Sequence, residues 1–86
     1  MKKLITEVEH EGLLKLMGQK VTLFCANYFY TGKLIGVSET CVLLEDPAIV
    51  YETGAWTEKS YSDEQKLGTK EHYVMIRAIE SFGSLK

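Results

Sequence analysis

The feature that most constrains this chain is a change of hydrophobic period at Gly18. Before it, Leu13, Leu16 and Met17 fall on one face of a helix, with Leu14 beside them. After it, Val21, Leu23 and Cys25 alternate with Thr22 and Phe24, the two-residue period of a strand with one buried face. Ala26-Asn27 reads as a tight turn, because Asn tolerates positive φ. The next strand carries Tyr28, Tyr30, Gly32 and Leu34 inward and Phe29, Thr31 and Lys33 outward. Gly32 and Gly36 within it predict a strong bend or a close backbone approach, as in small barrels. Ser38-Glu39 turns the chain into a third strand, Thr40 to Glu45. Asp46-Pro47 is expected to interrupt pairing before a strand-like stretch, Ala48 to Thr53.

Residues 54–70 are polar, with Trp56 and Tyr61 embedded, and read as a long, partly mobile hairpin loop. His72 to Arg77 is expected as a fourth strand and Ala78 to Phe82 as a short fifth, ended by Gly83. On the amino side, Thr6 and Glu9 form a capping-box pattern for a helix over about 7–17, although Gly12 weakens it. One helix and five short strands predict a mostly β single domain: a small, bent antiparallel barrel with a long hairpin between strands three and four.

Composition narrows the functional classes. Ten Lys and Arg against twelve Asp and Glu give a net charge of −2, which argues against a binder driven by overall basic charge. A local basic patch remains compatible with it. The longest apolar runs are four residues, as at Cys41-Val42-Leu43-Leu44, far short of the ~20 needed for a helical membrane span. Glu7, Glu9 and Glu11 break any leader-like run after Lys2-Lys3, so a cytosolic (cytoplasmic) protein is expected. Cys25 and Cys41 read as small buried hydrophobes, and His10 and His72 lack partners at metal-ligand spacing. No cofactor, metal or catalytic set is expected. A domain this small has a thin core, which makes oligomerisation the expected support.

The ordered pieces Val21-Thr22-Leu23-Phe24-Cys25-Ala26-Asn27, Tyr30-Thr31-Gly32-Lys33-Leu34 and Ser38-Glu39-Thr40-Cys41-Val42-Leu43-Leu44, followed by Arg77-Ala78-Ile79-Glu80-Ser81-Phe82, resemble the two motifs of the Sm and Sm-like superfamily. Within it they are most similar to the bacterial Hfq-type RNA chaperones. By this likeness the first motif covers about 18–46, an extended hairpin about 47–72, and the second motif about 73–83. The resemblance implies an Sm-like barrel whose last two strands pair between protomers into a homo-oligomeric ring of about five to seven copies. Tyr73, Val74, Ile76, Ala78, Ile79 and Phe82 would supply that interface. It also implies single-stranded RNA as partner, with Arg77, Phe24, Phe29, Lys33 and Thr40 as candidate contacts.

Departures from the family pattern bear on those contacts. The turn after the first strand is one residue shorter and lacks its Gly. Ser38 stands for the family's loop Asp, Thr40 for its base-stacking residue, Cys41 for the following Asn, and Ile76 for a Lys. The implied function is therefore a ring-forming RNA-binding or RNA-chaperone scaffold with weakened or altered sites. The alternative is a ring or barrel without RNA binding that acts as a protein–protein module. Each candidate also has a structural reading. Phe24 and Phe29 can pack against the helix or a neighbouring subunit, and Arg77 can form a salt bridge between subunits. Tyr51, Trp56 and Tyr61 can form a partner-binding surface or pack the hairpin stem.

Overall fold

The computed structural model describes residues 12–84. Its first element is a single helical turn, α1 (Gly12–Lys15), continued by a bonded turn in which Leu16 N donates to Leu13 O and Gln19 N to Leu16 O, each at 3.0 Å. Gly18 takes a left-handed φ of 83°, which halts the turn, and its N–H is satisfied by Leu34 O at 2.7 Å. The helix expected over 7–17 is thus shorter at its carboxyl end, and the part before residue 12 lies outside the described residues. Leu13 and Leu16 pack on the core, whereas Met17 is 41% exposed and leaves the face assigned to it.

Six strands follow in one antiparallel sheet: β1 (Lys20–Cys25), β2 (Phe29–Val37), β3 (Cys41–Glu52), β4 (Asp63–Lys66), β5 (Glu71–Met75) and β6 (Ile79–Ser84). The order is β4-β3-β2-β1-β6, and β5 also pairs with β3. The sheet is bent but does not close: β5 pairs only with β3 and β6 only with β1. The mostly β antiparallel architecture therefore holds, with one strand more than expected and without a closed barrel.

The extra strand arises in the polar stretch 54–70, where β4 pairs with the far half of β3 (Val50 opposite Glu64). Asp46-Pro47 does not interrupt β3 either. Thr31 faces Ala48 and Lys33 faces Glu45, so Gly32 alone stands opposite Asp46 and Pro47, a β-bulge. Asp46 takes φ 53° to make it, and its N–H donates to Lys70 O at 2.9 Å. Gly32 permits the close approach there: a Cβ would lie a tight 3.1 Å from Glu45 O and from Leu44 Cβ. Beyond the bulge β3 changes outer neighbour, from β5 (Cys41–Glu45) to β4 (Ala48–Glu52).

The core lies on the inner face. Val21, Leu23, Leu34, Val42 and Leu44 are fully buried, with Cys25 and Val74 nearly so. Burying each of these Leu or Val side chains stabilises the fold by about 1.5–3 kcal/mol. The turn after β1 is closed by Cys25 N donating to Tyr28 O at 3.1 Å. Asn27 does not use positive φ there, and Tyr28 is 47% exposed rather than inward. Among the described residues no helix is long and apolar enough to cross a membrane.

Candidate nucleic-acid interface

Directly opposed residues of an antiparallel pair share a face. Thr22 faces Thr31 and Phe24 faces Phe29 across β1 and β2, and Ala48 and Val50 continue the same rows on β3. This is the outer face, expected to meet solvent. Yet Thr22 and Thr31 are 2% exposed, and Ala48 and Val50 are buried outside the core cluster. The cover is the strap between β3 and β4 together with β4 itself. Tyr61 Oη bonds Thr22 Oγ1 at 2.7 Å, and the Thr31 hydroxyl donates to the Glu64 carboxylate. Gly54 (φ 69°) pinches the strap's two ends together, since a Cβ there would collide with Ser62 Oγ. Each hydroxyl bond contributes about 1 kcal/mol net, and the charged acceptor somewhat more.

At the end of this face the Phe24 and Phe29 rings meet edge to face at 4.8 Å, and the Trp56 indole lies 6.3 Å from Phe24, tilted by 55°. Both phenyl rings are half-buried, whereas Trp56 is 63% exposed. Of the three hairpin aromatics, Trp56 and Tyr61 pack on β1 within the chain and Tyr51 points to solvent.

Arg77 and Thr40 belong to a second group. Arg77 does not sit on a strand: Ile76–Ala78 form a 3-10 turn between β5 and β6 and leave it exposed. Ile76 N donates to Thr40 O at 2.9 Å, joining this turn to the β2–β3 loop. In that loop Ser38 Oγ accepts the Thr40 and Cys41 amides at 3.2 and 3.1 Å, which makes the serine a turn-forming group. An apolar groove of about 530 Å³ opens beside it, floored by Val37, Ile76, Ile79 and Phe82 and edged by Glu39 and Glu80. Lys33 stands apart, exposed between Lys20 and Glu45 in register. The five candidate RNA contacts thus divide into an aromatic pair, a loop-end pair and a separate lysine.

The proposed interface residues also divide. Tyr73 is 64% exposed and Phe82 39%. Ile76 and Ile79 are half-buried against the core, and Ala78 is exposed. Val74 is 5% exposed and packs in the inner core, opposite Val42.

Sequence reasoning missed a stack on the inner side. Tyr28 contacts Tyr30 at 6.1 Å, and Tyr30 stacks on His72 at 5.5 Å. The inward row had offered Tyr28 and Tyr30, but His72 joins them only through the β3–β5 register, which local alternation does not carry. Burial pushes the Tyr30 phenol above its ordinary pKa, with the nearby Cys25 and Tyr28 adding to the shift, and burial likewise raises the Cys25 thiol. Among the described residues no group of three or more His, Cys, Asp or Glu is placed to hold a metal ion.

Compared with models of protein families, with curated proteins and with solved structures, the chain matches none.

Proposed function

We propose that this chain is a homo-oligomeric, Sm-like ring protein that binds single-stranded RNA weakly or with altered preference, as a scaffold or chaperone. The observation that carries the reading is that two of the described strands with an unpaired edge, β5 and β6, lie next to each other in the chain. β5 and β6 flank the Ile76–Ala78 turn, and each is paired on one side only. Unpaired edges invite another strand, and pairing of β5 of one protomer with β6 of the next would be a heterologous contact of the kind that closes rings. Tyr73 and Phe82 lie exposed on these two strands. A ring would bring the copies of Arg77 around one axis and focus positive potential there despite the acidic net charge.

Light scattering on a sizing column, with absorbance read at nucleic-acid and protein wavelengths, tests both halves. The expected result is a mass of about five to seven protomers with excess nucleic-acid absorbance in the same peak. A clean monomer would sink the ring. Titration with short A-rich and U-rich RNA at moderate salt then tests binding, which Arg77→Ala and Phe24→Ala should each weaken. A second reading, a protein–protein module, draws on the exposure of Tyr51, Trp56 and Tyr73 at 60%, 63% and 64%, since such side chains anchor interfaces. An oligomer that ignores RNA would favour it.

A further inference from the structure

Building on the ring reading above, we infer that the apolar groove beside the Ile76–Ala78 turn receives Tyr73 and Met75 of a second copy of this chain, with that copy's Arg77 against Glu39 and Glu80.

Strand direction and register point to that occupant. β5 is antiparallel to β3, β3 to β2, β2 to β1, and β6 to β1, so β5 and β6 run the same way within one protomer. An antiparallel junction between β5 of one copy and β6 of the next, the more stable kind, therefore needs the two copies turned end for end. Turning a copy over while keeping its β5 at the junction exchanges its faces. The outer face of that β5 then continues the inner face of β6. On β6 the inner face carries Phe82, opposite Leu23, and Ile79, opposite Cys25, and both of them line the groove. On β5, Val74 turns inward opposite Val42, which by alternation leaves Tyr73 and Met75 outward at 64% and 51% exposure.

The chemistry of the two sides matches. The groove of about 530 Å³ offers Val37, Ile76, Ile79 and Phe82 to an incoming apolar side chain. Antiparallel alignment sets the Met75 end of one strand beside the Ile79 end of the other, with Tyr73 nearer Phe82. Arg77, just beyond Met75, then comes to the rim, where Glu39 and Glu80 are exposed and in no ion pair among the described residues. Within one protomer Tyr73 and Met75 lie on the face turned away from the groove, so only a second copy can supply them this way.

The test breaks the two sides separately in the full chain and reads mass by light scattering. Met75→Asp spoils the inserted strand and Phe82→Asp spoils the groove. Each is expected to fall from the wild-type oligomer mass to that of a monomer, with the circular dichroism of the β-sheet retained, whereas Met75→Leu keeps the oligomer. Glu39→Arg combined with Glu80→Arg, both at exposed positions, is a second groove variant expected to behave as Phe82→Asp does. A mixture of Met75→Asp and Phe82→Asp leaves one intact contact per pair, so it should form a species of about two protomers and nothing larger. Unchanged oligomer mass in Met75→Asp, or no paired species in the mixture at millimolar protein, would overturn the groove assignment and leave the ring reading standing. A monomeric wild type would remove both.

Discussion

The two faces of the β1–β2 hairpin are both buried, by opposite means. On the inner face Val21, Leu23 and Leu34 pack against Val42 and Leu44 with no polar partner to satisfy. On the outer face Thr22 and Thr31 are almost as inaccessible, but they lie under the distant β3–β4 connection and β4, which they reach through side-chain hydrogen bonds to Tyr61 and Glu64. Residue alternation fixes the direction in which a side chain points. It does not fix whether water is found there.

The comparison can be broken first from the inside. Leu44→Ala should cost about 2–5 kcal/mol in denaturant unfolding, the usual toll of a cavity in a close-packed core. A loss below 1 kcal/mol would mean that this layer is not the main stabilising one. On the outer face Glu64→Ala should cost about 1–3 kcal/mol, because it leaves the buried Thr31 hydroxyl without its acceptor. Tyr61→Phe should cost about 1 kcal/mol through Thr22. Amide exchange in residues 53–62 should quicken in both outer-face variants and stay unchanged at β1–β2 amides. Equal quickening everywhere would mean that the strap is not a separate layer.

A pH series sharpens the inner face. The Cys25 thiol is raised by burial, so the folded state holds its proton where the unfolded chain has lost it. Stability from this group is then complete below the ordinary thiol value of 9.0 and declines as pH rises beyond it. Tyr30 acts in the same direction at higher pH. Melting temperature should fall above pH 9, and Cys25→Ala should flatten the first part of that fall. The smallest effect is expected at the surface. Lys66 Nζ and Asp46 Oδ2 pair at 2.9 Å, but both side chains are more than half exposed, so Lys66→Ala should change stability by less than about 1 kcal/mol.

Much of the inner face was legible in the sequence. Val21, Leu23 and Cys25 alternate cleanly, and Gly32 marked the close backbone approach that the structure places against Glu45 and Leu44. The outer face was not legible, because its cover comes from residues 39 positions away for the Thr22–Tyr61 bond. Those residues are polar, and a polar run reads as solvated loop. Asp46-Pro47 misled for a different reason. A proline ahead of a strand normally ends pairing, but here a bulge absorbs it and the strand continues with a new neighbour. At the candidate site, Phe24 and Phe29 were paired correctly by alternation. Arg77 was placed on a strand because a three-residue turn leaves almost no mark in a hydrophobic pattern. Trp56 could not be assigned to that face without knowing where the strap runs.

The register of β1 with β6 sets Val21 opposite Ser84 and Leu23 opposite Phe82. The second edge of β1 is therefore covered by a strand about 60 residues further along the chain, and contacts of such wide sequence separation are the kind that slow folding.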